Sequence, residues 1–413
     1  MSVLHQLLRD YPVVITGYGA VTSAGTGVEP LWDAVISGHS TATPWHNPAH
    51  PGGPPSAVCR VTNIPHAPAA ARKLDRSTKL GFAAALQAWQ QAHLHEVPVP
   101  PRRLGVITAS SRGTVEVWER AFEWLHRGVT PPSIIAATTI AHLSGALSLH
   151  LKIQGPMLAV SATCASSAAA IALAAQQLLT GTADVILVGG AEAPLHPVVL
   201  QGFETAGLLG HHEDPGRACR PFDLSRDGTV LGEGAGFLVL ESLESAQRRR
   251  APILGRLSGW ALGAEAHDRA GMDPEGAALS QLMEEALAVA GLPTSAIGYI
   301  NLHGTGTRLN DASEARAVQR IFGPPSHQPP ASSTKPVFGH CMGAGAALEA
   351  IVCLEAQRRQ LLPPAINCTQ LDPDCPLSLV RDSHPVRTLQ ATMSLSSGFW
   401  GAQGVLIFQT TAC

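Results

Sequence analysis

Charged residues are scarce in this chain. Asp, Glu, Lys and Arg make up 14% of its 413 residues against 45% hydrophobic residues, and the formal net charge is −3. This composition argues against a disordered chain and against a nucleic-acid-coating protein. It also gives no overall attraction to phosphate or to a membrane surface, so a partner recognised by charge must bind a local patch.

Paired cysteines and long apolar runs are also missing. None of the eight cysteines stands in a Cys-x-x-Cys pair, so no zinc-ribbon or thioredoxin-type motif is present and no metal site is predicted. The first residues lack the basic stretch and apolar run of a signal peptide. No segment reaches the roughly 18 unbroken apolar residues that a membrane span needs. We therefore expect a protein of the reducing cytoplasm with no membrane span and no nucleic-acid partner.

Short apolar segments alternate with helical patterns and predict an α/β fold. Because most of the strands are apolar throughout, helices should cover both faces of the sheet. The length exceeds what one core usually serves, which predicts two domains or one large duplicated unit. The order of elements is similar in two halves, and the charged stretch RRRAP at 248–252 predicts their boundary, giving residues 1–250 and 251–413. The predicted strands are 13–17, 105–108, 158–161, 184–188, 234–240, 299–302 and 405–409, and the main helices are 80–93, 165–179, 277–290, 312–321 and 344–357.

Cys164 lies where a predicted strand ends and an alanine-rich helix begins, in SATCASSAAAIALAAQQLL. A thiol at a helix N-terminus is expected to have a lowered pKa, because the peptide dipoles favour the thiolate. The small flanking residues leave room for an acyl group. Taken alone, the motif favours a buried, inert cysteine, and only the two histidine motifs that follow turn the balance toward a nucleophile.

Two histidine motifs follow in the second half. His303 lies in NLHGTGTRLND, directly after a predicted strand, and Thr305 and Thr307 offer hydroxyls beside it. His340 lies in SSTKPVFGHCMGAGAALEA together with Lys335, which could hold a nearby imidazole neutral if it is buried. The alternatives are a turn histidine satisfied by backbone groups and a solvated loop lysine.

A rival nucleophile shares the second of these motifs. Residues 339–343 match the G-x-C-x-G pattern of a nucleophile elbow around Cys341. That turn requires a strong preceding strand, and the segment 334–338 contains a proline and a lysine. The sequence therefore favours Cys164.

Several segments, taken together and in this order, resemble the β-ketoacyl-(acyl carrier protein) synthase II group of the thiolase superfamily. The resemblance covers nearly the whole chain and implies a duplicated five-layer αβαβα fold and a dimer. The matching segments are VVITGYGAVTSAG, GPMLAVSATCASS, ADVILVGGAEAPLHP, RPFDLSRDGTVLGEGAGFLVLE, NLHGTGTRLNDASEARAV, STKPVFGHCMGAGAALEA and SSGFWGAQGVLIF.

The resemblance also implies roles for individual residues. Cys164 would accept the acyl group, and His303 and His340 would stabilise the enolate that forms when a malonyl unit loses CO2. Lys335 would support the site electrostatically. Phe399 would gate access to the thiol, and its amide would form an oxyanion hole with that of Cys164.

The implied partner is an acyl carrier protein. Thr305 and Thr307 would contact its phosphopantetheine arm, which arrives with the substrate, so no resident cofactor is expected. Arg72, Lys73 and Arg76 would dock the carrier protein. The dimer would be a homodimer or a heterodimer with a chain-length-factor-like subunit.

The implied reaction is a decarboxylative Claisen condensation of a Cys-bound acyl group with malonyl-acyl carrier protein. One alternative is an acyltransferase that only moves acyl groups through Cys164. Another is the partner subunit of a ketosynthase heterodimer, although such partners lack the cysteine. The retained Cys164 argues against this second alternative.

Two departures from the family pattern predict specialised polyketide or polyene chemistry rather than ordinary fatty-acid elongation. Trp400 stands beside Phe399 where the family has a small residue. Arg112, in ASSRGT, stands where the family has an aliphatic residue at the floor of the acyl pocket. We expect Arg112 either to pair with Glu116 or to meet a polar end of the substrate, since an unpaired buried guanidinium is very costly.

Overall fold

Within the part of the chain that the structure describes, apolar and small residues form the strands of one large eleven-stranded sheet and of a separate three-stranded sheet. The computed structural model describes residues 3–48, 52–64, 74–97, 99–268, 272–386 and 388–411. The strands are β1 (Val13–Thr22), β2 (Gly25–Thr26), β3 (Thr43–Trp45), β4 (Ser56–Cys59), β5 (Leu104–Ala109), β6 (Met157–Val160), β7 (Val185–Glu192), β8 (Leu231–Gly232), β9 (Gly234–Ser242), β10 (Gly255–Ala264), β11 (Ile297–Asn301), β12 (Ala331–Ser332), β13 (Ala391–Ser397) and β14 (Ala402–Gln409).

Helices connect most of these strands. They are α1 (Val3–Asp10), α2 (Val28–Ser37), α3 (Arg76–Gln91), α4 (Val115–His126), α5 (Ile134–Ala137), α6 (His142–Leu151), α7 (Ser166–Leu179), α8 (Pro197–Thr205), α9 (Leu243–Arg248), α10 (Ala277–Ala290), α11 (Arg308–Phe322), α12 (Lys335–Phe338) and α13 (Gly345–Arg359). Among the helices of the described ranges, none is long and apolar enough to cross a membrane.

The sheet repeats one topology on either side of a central seam, where β1 pairs with β10. The order is β6-β5-β7-β9-β1 on one side and β12-β11-β13-β14-β10 on the other. In both halves the two pairs next to the seam are antiparallel and the two outer pairs are parallel. This confirms the predicted α/β class and its duplication. The boundary at residue 250 stays a prediction.

Two helices fill the space between the halves. The alanine-rich α7 packs on strands of both halves, and α13 packs on α7 and again on both halves. Every residue of α13 from Gly345 to Gln357 is buried. Helices α3 and α6 cover the outer face of the first half, and α10 and α11 cover that of the second. The layers therefore alternate as helix, sheet, helix, sheet, helix.

The first strand is twice as long as the sequence predicts. Glycine was expected to end it at Gly17, yet the strand runs on through Gly19 to Thr22. A Cβ atom on Gly17 would lie 2.2 Å from the Ala88 carbonyl oxygen, and one on Gly19 would lie 2.3 Å from that of Ala84. The glycines therefore allow α3 to pack directly on the strand, and they do not terminate it.

Candidate active site

A strained turn presents Cys164. The residue lies between β6 and α7, and the preceding residue, Thr163, has a left-handed φ of 50°. The Ser166 hydroxyl closes the turn: it donates to the Thr163 carbonyl oxygen at 2.5 Å and accepts from the Ala162 amide at 2.9 Å. A left-handed non-glycine residue costs free energy and persists only where its surroundings enforce it. The turn fixes the thiol at the entrance of α7, with 6% of Cys164 exposed.

A cavity of about 410 Å³ connects this thiol with the surface. At its buried end lie Cys164, His303 and His340, and at its exposed end lies Leu309, which is 60% exposed. Thr305, Thr307 and Phe399 also line it. The structure therefore brings into one cavity residues that are up to 235 positions apart along the chain, from Cys164 to Phe399.

The two histidines face the thiol. His340 Nε2 lies 3.1 Å from Cys164 Sγ, and the rings of His303 and His340 meet edge to face, 5.4 Å apart between centroids. His303 follows β11, and His340 lies between α12 and α13. Burial lowers the pKa of both imidazoles well below the usual value, and the charge of Lys335 lowers it further. Both rings are therefore neutral at pH 7.

Lys335 lies in the interior, so the interpretation as a solvated loop lysine is wrong. Its Nζ donates to Glu349 Oε1 at 2.6 Å, and each of these side chains is 1% exposed. The carboxylate compensates the lysine charge, while that charge still acts on the two imidazoles. Lys335 thus helps to keep both rings in the form that can accept a proton or donate a hydrogen bond.

Replacing Lys335 with methionine should destabilise the protein strongly, because it leaves Glu349 buried without a cation. Removing one partner of a buried ion pair costs about 3–5 kcal/mol of folding free energy. The measurement is the free energy of unfolding by urea titration. The double variant Lys335→Met/Glu349→Gln should recover most of the loss. A loss below about 1 kcal/mol in the single variant, as for an exposed pair, would contradict this account of the pair.

Burial raises the pKa of the Cys164 thiol to about 12, and the positive charges of Lys335 and Arg112 offset only part of the effect. The sequence-based prediction of a lowered pKa was therefore wrong for the free protein. Position at a helix start favours the thiolate, but removal of water from the thiol outweighs it. The thiol consequently depends on a proton acceptor, and His340 Nε2 is in contact with it.

Alkylation of Cys164 by iodoacetamide should accelerate steadily with pH. Below its pKa a thiol gains thiolate about tenfold per pH unit, so the rate should rise without a plateau between about pH 6 and pH 9. Mass spectrometry of the peptide that contains Cys164 measures the alkylation rate of this cysteine separately from that of the other cysteines. A plateau near neutral pH would instead show a thiolate that is already stabilised by a protonated His340.

The loop after β13 packs against the nucleophile. The Thr163 hydroxyl donates to the Phe399 carbonyl oxygen at 3.2 Å. A Cβ atom on Gly398 would lie 2.8 Å from the Cys164 amide nitrogen, so only glycine fits there. The Phe399 ring packs on Phe203 with 5.9 Å between centroids. The backbone of residues 398–399 therefore adjoins the Cys164 amide, and the oxyanion hole formed by the two amides stays a prediction.

The two threonines lie together near the mouth of the cavity. Thr305 and Thr307 share a hydrogen bond of 2.9 Å between their hydroxyls, and both side chains line the cavity. Thr305 is 7% exposed. Asp227 and Asn310 line the same cavity, and such polar groups suit a polar, flexible arm better than a hydrocarbon chain.

Two buried carboxylates that sequence reasoning missed hold the loops of the site. Glu314 accepts hydrogen bonds from the amides of His303 at 2.6 Å and Gly304 at 2.8 Å, and burial raises its pKa to about 8. Glu192 accepts from the amide of Gly343 at 3.0 Å. For Glu192 the signal was an acidic residue at the end of an apolar segment, whereas Glu314 lies in a polar helix and carries no such signal. In neither case does the sequence show which loop the carboxylate meets.

The predicted docking residues have mixed outcomes. Arg72 and Lys73 lie outside the described residues. Arg76 binds the Glu233 carboxylate with two nitrogens, at 2.7 and 2.6 Å, so its charge is already compensated within the chain. A role of Arg76 in docking stays a prediction, and its ion pair with Glu233 does not support that role.

Arg112 does not pair with Glu116, as one of our two expectations had it. The Glu116 carboxylate accepts the Arg76 amide at 3.0 Å and lies 3.8 Å from the Arg120 guanidinium. The Arg112 side chain is exposed and its guanidinium carbon stands 5.7 Å from the centre of the Phe203 ring. Arg112 thus lies behind a residue that lines the cavity.

The rival nucleophile is placed unfavourably. Cys341 is 1% exposed, and burial raises its pKa well above the usual value. The segment before it is the short helix α12, so the strand that an elbow requires is absent there. The elbow interpretation is therefore wrong.

Comparison with known proteins agrees with this geometry. Residues 10–246 match the family described as Beta-ketoacyl synthase, N-terminal domain, and residues 254–369 match Beta-ketoacyl synthase, C-terminal domain. The 3-oxoacyl-[acyl-carrier-protein] synthase 2 of Coxiella burnetii is 32% identical over 404 residues, covering 96% of this chain and 97% of that protein.

Solved structures agree over the whole fold. One is the complex of a type II polyketide synthase acyl-carrier protein with its ketosynthase bound to the hexaketide, with a TM-score of 0.89, 27% identity, and coverage of 97% of this chain and 100% of that one. Another is the ishigamide ketosynthase/chain length factor, with a TM-score of 0.88, 30% identity and the same coverage. These likenesses confirm the thiolase-like duplicated αβαβα fold. The chain belongs to the β-ketoacyl synthase family.

Proposed function

We propose that this chain condenses an acyl group bound to Cys164 with the malonyl unit of an acyl carrier protein, releasing CO2. The observation that carries the proposal is the 3.1 Å contact between Cys164 Sγ and His340 Nε2, with His303 against the same imidazole, at the buried end of a cavity. Both family matches and the name of the Coxiella burnetii relative support it.

In the first half-reaction Cys164 takes the acyl group from a carrier thioester. The neutral His340 accepts the thiol proton, and the thiolate attacks the thioester carbonyl carbon. The amides of Cys164 and Phe399 stabilise the oxyanion of the tetrahedral intermediate. When the intermediate collapses, the bond to the phosphopantetheine sulfur breaks, and that sulfur recovers the proton from His340. The products are acyl-Cys164 and a free carrier thiol.

In the second half-reaction a malonyl thioester loses CO2. The electron pair of the broken carbon–carbon bond moves into the thioester and forms an enolate. His303 and His340 donate hydrogen bonds to its oxygen as neutral imidazoles, and for His340 this requires that its single ring proton moves to Nε2 after the first half-reaction. The carbanion carbon then attacks acyl-Cys164. Breaking the thioester returns the thiolate of Cys164, which takes up one proton from water to restore the thiol, and the elongated β-ketoacyl chain leaves on the carrier.

The cavity suits an arm that enters from a carrier protein. It runs from exposed Leu309 past Thr305 and Thr307 to Cys164. We propose that the threonine hydroxyls bind amide groups of the phosphopantetheine, and that the arm arrives with the carrier, so that no resident cofactor is needed. Arg72 and Lys73 remain the proposed docking residues for the acidic carrier surface.

We further propose a dimer in a reducing, cytoplasmic location. Strand β6 is an edge of the sheet, and its Met157 and Leu158 are 44% and 38% exposed, which favours continuation of the sheet by a second ketosynthase-type chain. The second chain is either a copy of this one or a chain-length-factor-like subunit, as in the ishigamide complex. All the cysteines in the described part of the chain are free thiols, which suits a reducing compartment.

Intact-protein mass spectrometry tests the proposal. The protein is incubated with acyl carrier thioesters and then chased with malonyl carrier protein. We expect an acyl mass on Cys164 that disappears during the chase, while a chain lengthened by two carbons appears on the carrier. Return of the unextended acyl group to the carrier would instead identify the acyltransferase alternative.

A further inference from the structure

A cationic side chain, Arg112, lies against the apolar residues that surround Cys164. Cys164, Phe203 and Met342 belong to one buried apolar cluster, against which Phe399 packs. The guanidinium of Arg112 lies over the ring of Phe203, with its carbon 5.7 Å from the ring centre. An acyl chain that extends from Cys164 along Phe203 therefore leads toward a positive charge.

The backbone of Arg112 is held rigidly. Buried Glu192 accepts its amide at 3.2 Å, the Ser111 amide at 2.7 Å and the Gly343 amide at 3.0 Å. The same carboxylate therefore joins the loop of Arg112 to the loop that follows His340. This connection fixes the backbone of Arg112 relative to the loop that follows His340, while the side chain itself is exposed.

The guanidinium has free donors. Within the described ranges it makes no ion pair and no side-chain hydrogen bond, and its contact is with the face of Phe203. Its charge nevertheless reaches the site, because it lowers the pKa of His340 and offsets part of the rise at Cys164. A planar fork of five N–H donors is suited to carboxylate and carbonyl oxygens.

We propose that Arg112 selects acyl groups whose distal end carries a carboxylate or carbonyl oxygen, and that it disfavours saturated chains of the same length. The inference rests on the proposed function of Cys164 as acyl acceptor. A saturated end would gain no apolar burial at the guanidinium, whereas an oxygen-bearing end would gain a charge-assisted hydrogen bond.

The test compares chains of equal length as N-acetylcysteamine thioesters, which need no carrier docking: glutaryl against pentanoyl, and 5-oxohexanoyl against hexanoyl. The rate of adduct formation on Cys164 is measured by mass spectrometry. Wild type should prefer the oxygen-bearing member about tenfold or more, the usual effect of a hydrogen bond to a charged group. Arg112→Met should lose this preference, Arg112→Lys should keep part of it, and the exposed control Arg9→Met should match wild type.

Equal ratios in wild type and Arg112→Met, or a wild-type preference for the saturated chains, would overturn the proposal. Acetyl loading shows whether each variant is intact, since an acetyl group is too short to extend past Phe203. If Arg112→Met does not load acetyl, the test rests on the wild-type ratio of loading rates for oxygen-bearing and saturated chains. A ratio near one then overturns the proposal. Absence of every adduct from wild-type Cys164 would contradict the proposed function itself.

Discussion

Replacing Cys164 with alanine should abolish the acyl adduct and lower condensation by about 10⁴-fold or more, as expected for loss of a covalent nucleophile. The structure gives the reason: this thiol lines the cavity and contacts His340 Nε2 at 3.1 Å. The measurements are intact mass after incubation with acyl carrier protein and the rate of product formation.

Cys341→Ala is the matched control. Its thiol is also buried, but it lies behind α12 and directs its hydrogen toward the Phe338 carbonyl oxygen, 3.7 Å away. This variant should load acyl groups at a rate close to that of wild type. An adduct that persists in Cys164→Ala and disappears in Cys341→Ala would reverse the assignment.

Alanine substitutions of the two histidines should affect the two half-reactions to different degrees. From the sequence alone, both alanine variants are expected to lose decarboxylation more than loading. The structure divides their roles further, because of the two rings it is that of His340 that forms a hydrogen bond with the thiol. His303→Ala should therefore load acyl groups almost normally and lose about 10²–10³-fold in condensation, the usual effect of removing one donor to a developing oxyanion. His340→Ala should slow both steps.

Single-turnover kinetics measure the two steps apart: acyl transfer to Cys164 by quenched-flow mass spectrometry, and consumption of malonyl carrier protein by acyl-Cys164. His384→Ala, at an exposed histidine away from the cavity, is the control. Equal loss of loading in His303→Ala and His340→Ala would contradict the division of roles.

Much of the fold could be predicted because apolar and small residues tend to be buried, so their pattern along the chain marks helices and strands. The five main helices were found, and α10 was predicted with its observed ends, since small and apolar residues dominate them. Strand β13 was missed, because its sequence ATMSLSS is rich in serine and threonine although every residue is buried. A buried strand that is rich in polar side chains lacks the apolar pattern by which strands are predicted.

The sequence was sufficient to predict which residues form the site, but not their burial, their pKa values or their contacts with distant segments. Cys164, His303 and His340 were found from local motifs, and the structure places them together. The raised pKa of the thiol was not foreseen, because desolvation arises from residues distant in sequence. Likewise Arg112 and Phe203 are 91 positions apart, and their contact could not be inferred from either segment.

The central claim is that acylation of Cys164 and decarboxylation belong to one reaction. The most direct measurement uses malonyl carrier protein labelled in the free carboxyl carbon and compares labelled CO2 with elongated product. The account predicts one CO2 for each two-carbon extension when Cys164 carries an acyl group, and no elongated product from Cys164→Ala. Rapid acyl exchange between carriers through Cys164, with no labelled CO2 from the wild-type protein, would contradict it.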